Sequence, residues 1–442
     1  MPHPMPPSQS AQVIVVGAGA AGVFGAIACA EAAPSATVHL FEAGREPLAK
    51  VRISGGGRCN VTHACFDPAV LVNHYPRGSR ALRGPFSQFQ PRDTIAWFQQ
   101  RGIALKTEAD GRMFPTTDDS ATIVDGLLGE VRRLGITLHR SMAVTGIIPM
   151  GNGREDGFTV AVKGGPSWLC DRLLLATGSS NLGYRLAQAL GHTLVPPVPS
   201  LFTFTVRDPE LHALAGVSVE DVALTLPLDD GKSLKQRGPL LITHWGLSGP
   251  AILKLSAFGA VGLHRQRYRA NLGVNWLPDF SQDQVRQTLL NLKQTQGKRL
   301  VISFSPFPAL SRRLWLYLLQ QRVGLDRDLT WANLSKGQLQ ALVTELTQGR
   351  YAIDGRGVFK DEFVTCGGVA LKEVDFKTME SRRCPGLHFA GEILDIDGIT
   401  GGFNFQNAWT TGWLAGRAMA ALGNKTSAPG QTLDPAKSRR NG

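Results

Sequence analysis

Apolar residues fall into unbroken runs in the first half of the chain and into alternating runs in the middle. Residues 12–16 (Gln-Val-Ile-Val-Val) and 37–41 (Thr-Val-His-Leu-Phe) read as strands of a buried parallel sheet. Small residues over 21–33 between them read as a helix. Helical spacing recurs at 89–102 and at 122–134, where Ile123, Leu127, Leu128 and Val131 share one face. Residues 137–148 and 158–162 read as strands, and 173–175 as a buried strand closing in Ala176-Thr177-Gly178. From residue 196 the texture changes. Pro196, Pro197 and Pro199 mark a linker, and short runs at 202–206, 222–226, 240–243 and 269–274 predict antiparallel strands. Residues 246–250 read as a turn opening a short helix. Residues 281–294, 309–321 and 335–346 have helical periodicity, with Ser281 and Ser335 as N-caps. The C-terminal block returns to the first pattern: a strand over 386–389, a Gly-rich approach, and a helix over 406–422.

Candidate chemistry sits at the joins. Residues 17–22 read Gly-Ala-Gly-Ala-Ala-Gly between the first strand and the first helix, and the second strand ends in Glu42. This is the βαβ dinucleotide fingerprint in its proper context. Gly17 permits the tight turn, Gly19 admits a pyrophosphate, and Gly22 lets helix and strand pack closely. Ala20 and Ala21 open the helix whose N-terminus faces the phosphates, and Glu42 is placed to accept from the adenosine ribose. A second Gly-rich stretch, Ser54-Gly55-Gly56-Gly57-Arg58-Cys59-Asn60, offers a backbone that lies against a planar or phosphorylated ligand. In it Arg58 suits a phosphate and Asn60 a ring edge; a flexible surface loop is the alternative. Thr177 and Gly178 end a strand of the kind that touches a cofactor. Ala390-Gly391-Glu392 places a carboxylate for a ribityl hydroxyl, and Gly401-Gly402-Phe403-Asn404 leads into a helix whose N-terminus would stabilise negative charge on a reduced flavin.

Composition narrows the class. The 442 residues suggest two or three domains; 43% hydrophobic residues support a core, and 19% charged residues argue against disorder. Six scattered cysteines form no C-x-x-C pair, so neither a disulfide framework nor a metal site is implied, and a cytoplasmic location fits. No apolar run reaches membrane-spanning length, and residues 1–10 lack the apolar core of a signal peptide. The net charge of +12 favours anionic partners. Residues 260–324 hold ten of the basic residues against Asp279 and Asp283, with aromatic residues interleaved. Nucleic-acid contact is one reading of that cluster. A solvated helical face over an ordinary aromatic core is the other.

The blocks 17–22, 54–62, 111–115, 176–178, 191–192, 197–201, 243–250, 367–369 and 390–406 together resemble the aminoacetone-oxidase-like FAD flavoproteins, a group that includes a ribosomal-RNA dihydrouridine synthase type. The resemblance runs from about residue 12 to 423. It departs at His63, Ser179, Cys366 and Phe403, departures that bear on the substrate more than on the cofactor. It implies an α/β fold: a Rossmann-like FAD-binding domain in two segments (11–195 and 360–424), and an inserted β-barrel-like domain (196–275 and 347–359) that itself carries a small helical insert (276–346). Residues 1–10 read as a loose arm and 425–442 as a disordered tail. The expected activity is flavin-dependent reduction of a base in RNA, uridine to dihydrouridine. With no second G-x-G-x-x-G unit in view, NAD(P)H docks transiently or oxygen takes its place as electron partner. Cys59, beside Arg58, is a candidate acid on the argument that the arginine favours its thiolate; a small residue that fits a tight loop is the plainer reading. Asn404 and His244 are further catalytic candidates, His244 equally a structural histidine. The rivals are a small-molecule flavoenzyme, either an amine oxidase or an ene-reductase, and a non-catalytic flavin-bearing RNA-binding factor.

Overall fold

The computed structural model describes residues 11–151, 157–357 and 364–421; the arm, the tail and residue 360 at the expected domain boundary lie outside them. Seven strands form the main sheet, in the order Val374–Asp375, Glu380–Ser381, Leu387–Phe389, Arg172–Leu175, Gln12–Val16, Thr37–Phe41, Thr137–His139. The last five run parallel, and the first two join them antiparallel at one edge. The chain's two ends therefore share one sheet, with Leu387–Phe389 beside Arg172–Leu175. Val13 to Val16 and Leu173 to Leu175 are buried, as the unbroken apolar runs require.

The helix Ala20–Ala32 covers the sheet and is in turn covered by the C-terminal helix Phe403–Ala420. These two helices meet backbone to backbone. A Cβ added to Gly412 would lie 2.5 Å from the Ala21 carbonyl oxygen, and one added to Gly416 only 2.3 Å from that of Gly25. Glycine is the residue that permits so close a crossing.

Between the sheet segments stands a closed six-stranded barrel, ordered Phe204–Val206, Gly246–Ser248, Ser233–Thr243, Ser218–Pro227, Arg269–Asn275, Gly349–Arg356. Helices Gln282–Thr295, Arg312–Tyr317 and Lys336–Gln348 pack with it around a second core that contains Trp276, Trp315 and Trp331. Ser281 and Ser335 both close capping boxes, with Gln284 and Gln338.

Three local expectations change. Prolines 196, 197 and 199 lie in a strand, Leu194–Ser200, which pairs antiparallel with Val364–Val369. The ladder shifts register between Val195 and Val198, so the two prolines that cannot donate hydrogen bonds stand out to solvent there. Residues 137–148 form two strands in different sheets: Thr137–His139 edges the main sheet, and Val144–Pro149 belongs to a three-stranded antiparallel sheet. The turn at 246–250 contains the barrel strand Gly246–Ser248, and the helix after it, Pro250–Arg265, runs 16 residues.

Candidate functional site

The first glycine loop has the shape its spacing predicts. Gly17 has φ +102° and lies against the end of the strand Arg172–Leu175; a Cβ there would meet the Ala176 carbonyl oxygen at 2.5 Å. A Cβ at Gly22 would meet the Gly17 carbonyl oxygen at 1.8 Å, whereas one at Gly19 meets nothing within 4 Å. The turn is packed behind and open in front, and Gly19 caps the helix Ala20–Ala32 with no side chain across its N-terminus. The Glu42 carboxylate accepts from the backbone N–H groups of Ala18 (2.9 Å) and Gly44 (2.7 Å). Those bonds fix its orientation and leave lone pairs for two more donors.

The other glycine stretches converge on this loop. A Cβ at Gly391 would touch the Ala21 methyl at 2.8 Å, and one at Gly178 would lie 3.5 Å from Glu392 Oε2. Thr177, Gly178, Glu392 and the first helix are thus brought together. Glu392 accepts from Lys50 Nζ (2.6 Å) and from the Thr365 backbone N–H (3.1 Å). The Thr177 hydroxyl is buried and turned to the helix Asn181–Ala189, where a Cβ at Gly183 would meet it at 1.8 Å.

A helix starting at Ala49 breaks at Ser54, whose ψ is 152°, and Gly55, Gly56 and Gly57 follow at φ 59°, 69° and 84°. Gly56 and Gly57 face space free of atoms within Cβ reach. The loop is tied to the C-terminal helix from behind. With its oxygen turned to Gly402, the Asn60 amide accepts from the Gly402 N–H and donates to the Thr62 carbonyl oxygen, each at 3.0 Å. Thr62 and Thr94 donate to Gln406 Oε1 (2.6 and 2.9 Å), Gln406 donates to Thr410, and the Trp409 indole N–H donates to the Val61 carbonyl. All of these side chains are buried, so the network holds one register of loop against helix. Phe403 is buried beneath a cluster of near-parallel rings, His74 at 4.3 Å and His63 at 4.7 Å.

The candidate catalytic residues fare differently. Cys59 is fully buried in the loop at φ 60°, and burial pushes its thiol up to about 12. Arg58 does not offset this, because its guanidinium turns away to Glu108 and Asp118 and lies over the Phe114 ring. The Arg58 charge is thus directed at carboxylates, which weighs against a thiolate at Cys59 and against a phosphate contact by Arg58. Asn404 spends its amide on Gly398, donating to its carbonyl oxygen (3.0 Å) and accepting from its N–H (2.8 Å). Asn60 is likewise committed to backbone rather than free for a ring edge. His244 is exposed in the barrel turn against the Trp245 ring, with no contact to the glycine loops among the described residues.

In the basic stretch, acids from outside the window answer three of the ten charges. Arg265 pairs with Asp229 and Asp230, Arg269 with Asp354, and Arg322 with Glu345. Most of its large aromatic residues, Trp276, Phe307, Trp315 and Tyr317, are core.

Sequence reasoning missed several residues that shape the site. Arg77 and Asp397 form an ion pair, with Asp397 wholly buried; Asp397 also accepts from Ser200 (2.7 Å), and Arg77 donates to the Ala257 carbonyl (2.8 Å). This pair fastens the Gly-rich approach at 398–402 to the barrel helix. Lys50, His74 and Lys254 also went unread. A polar residue inside a Gly-rich stretch hinted at Asp397; nothing local marks the others.

The arrangement fits a flavin dinucleotide: open backbone at Gly19, Gly56 and Gly57, and oriented carboxylates at Glu42 and Glu392. No helix among the described residues is long and apolar enough to cross a membrane.

The family described as HI0933-like protein Rossmann domain matches residues 11–418. A protein of Escherichia coli (strain K12) named ribosomal RNA dihydrouridine synthase is 32% identical over 92% of this chain and 98% of its own. One of Clostridium scindens named 3-dehydro-bile acid delta(4,6)-reductase is 29% identical over 92% of this chain and 98% of its own. Among solved structures, the 3-ketosteroid delta1-dehydrogenase from Sterolibacterium denitrificans has the same general fold, with a TM-score of 0.50 at 12% identity, over 94% of this chain and 100% of that one.

Proposed function

We propose a reaction from one premise: this chain belongs to the HI0933-like Rossmann family and is an FAD-dependent oxidoreductase. We infer that it reduces a carbon–carbon double bond conjugated to a carbonyl, and that this bond belongs to a uridine of ribosomal RNA. The observation that supports the reading most is the match to the Escherichia coli protein, 32% identical over 92% of this chain and 98% of that one.

In this reading Gly17, Gly19, Ala20, Ala21 and Gly22 cradle the pyrophosphate at the helix N-terminus. Glu42 takes the adenosine ribose; Glu392, with Thr177 and Gly178, takes the ribityl chain. Ser54 to Gly57 and Gly401 to Phe403 wall the ring system. Bound flavin supplies the hydride for one carbon of the double bond, and a proton completes its neighbour. Lys50 neutralises Glu392, and the Thr62–Gln406–Thr410 network keeps the two walls at a fixed separation. Asn60 and Asn404 are positioning residues that hold Gly402 and Gly398. Cys59, kept protonated by burial, serves as the small residue that closes the loop. His244 has no role at the flavin.

The test is direct. Protein loaded with FAD and supplied with NADPH is incubated with ribosomal RNA lacking dihydrouridine, and the product is digested for mass spectrometry. A uridine heavier by two hydrogens at a defined position supports the proposal; unchanged RNA with a fully reducible flavin overturns it. A second reading, reduction of a small conjugated ketone, is favoured by the Clostridium scindens relative and predicts turnover of a steroid dienone in the same assay.

A further inference from the structure

Lys254 lies on the helix Pro250–Arg265, yet its charge bears on two rings at the glycine walls, His63 and His74. Both rings pack on Phe403 at the start of the C-terminal helix, and they lie 6.0 Å from each other. Lys254 is half-buried and has neither an ion pair nor a hydrogen bond among the described residues. A half-buried lysine without a counter-charge keeps its charge available to an anion that arrives from outside. The groups around it do not compensate. The one carboxylate that acts on either histidine is Asp110, on His63, and Asp110 is itself paired with Arg112. Both histidines stay neutral because burial disfavours their charged forms, and Lys254 adds to that effect.

Two further cations stand near. Arg77 donates to the Ala257 carbonyl oxygen, one helical turn beyond Lys254, and the helix Ser79–Gln88 starts two residues after Arg77. On it Arg80 and Arg83 are exposed, one turn apart, with no ion pair among the described residues. In residues 260–324, Arg265, Arg269, Arg286 and Arg322 have acid partners, while Arg267, Lys293, Lys298, Arg299, Arg312 and Arg313 have no ion pair among the described residues; what sets Lys254 apart is its place against the rings at the glycine walls.

We propose that Lys254, Arg80 and Arg83 bind the RNA phosphates that flank the reacting base. This rests on the RNA reading given above. A base that reacts must leave its stack to reach a buried site, and its neighbouring phosphates then need anchors at the mouth. Phosphate contacts of this kind set position rather than sequence preference.

The experiment is RNA binding across a salt series, using the FAD-loaded full chain and a single-stranded ribosomal-RNA fragment. Removing one phosphate-binding cation should flatten the plot of log affinity against log salt by about 0.7. Lys254→Ala should therefore reduce the slope by about 0.7 and Arg80→Ala/Arg83→Ala by about 1.4. Lys254→Arg should restore the wild-type slope. Lys298→Ala/Arg312→Ala, two exposed cations of the helical insert, should leave it unchanged. The flavin content should match wild type in every variant. A wild-type slope in Lys254→Ala, with RNA binding otherwise intact, overturns the proposal while the RNA reading stands. A flattened slope in the Lys298/Arg312 variant instead overturns it by moving the RNA to the insert. A wild-type protein that binds no RNA defeats the RNA reading itself, and this proposal with it.

Discussion

Gly416 tests how the two ends of the chain are joined. A methyl group there would sit 2.3 Å from the Gly25 carbonyl oxygen, 2.8 Å from the Ala28 methyl and 2.9 Å from the Cys29 nitrogen. Ordinary contact begins near 3.4 Å, so Gly416→Ala must drive the helices Ala20–Ala32 and Phe403–Ala420 apart by about 1 Å. Overpacking of that size costs about 1–3 kcal/mol, and the packing around the crossing loosens with it. Against this, alanine in a helix interior gains about 1 kcal/mol over glycine. The net expectation is a loss of up to about 2 kcal/mol. Gly129→Ala is the matched control. It lies inside the helix Ser120–Arg133, and its Cβ would meet nothing within 4 Å. The same substitution there should gain about 0.5–1 kcal/mol. Urea unfolding followed by tryptophan fluorescence reads both, since the buried Trp409 reports on the C-terminal helix. Because a chain this long need not unfold in one step, the midpoint of the first transition is compared. The two variants should move it in opposite directions, and Gly416→Ala should also purify with less flavin. A Gly416→Ala protein stabilised as much as Gly129→Ala would refute the close crossing.

Asp397→Asn should leave the Arg77 guanidinium partly buried without its counter-charge, at a cost of about 3–5 kcal/mol in the same urea assay. Glu392→Gln should weaken flavin binding about tenfold, read by fluorescence titration, because it replaces a charged acceptor by a neutral one. His388 is wholly buried on the strand Leu387–Phe389, and burial lowers its pKa from 6.5 to about 4. The folded chain therefore refuses a proton that the unfolded chain accepts: stability is full above pH 6.5 and falls from there toward pH 4, by about 1.4 kcal/mol per unit. Urea midpoints at pH 7 and pH 5 should show a drop smaller by about 2 kcal/mol in His388→Gln than in wild type; equal drops would remove the assignment.

What could be read from the sequence alone follows the range of the forces involved. The strand Gln12–Val16, the turn at Gly17 and the acid at Glu42 are close in sequence, so periodicity and turn chemistry describe them completely. The serine caps at 281 and 335 were legible for the same reason: each bond spans three residues. The prolines at 196 and 197 misled because their meaning depends on Val364–Val369, a strand about 170 positions away that tolerates a register shift beside them. Part of the charge balance of residues 260–324 is hidden in the same way, since Asp229, Asp354 and Glu345, which pair three of its ten cations, lie outside any local window but beside it in space. Cys59 and Arg58 are neighbours in sequence, yet one faces the core and the other faces Glu108, so adjacency said nothing about electrostatic influence. Residue type narrowed the cofactor because glycines constrain backbone, which is local. The substrate depends on which cations remain unpaired after folding. Lys254 stands out only in three dimensions, because its place against His63 and His74 at the glycine walls joins positions nearly two hundred residues apart.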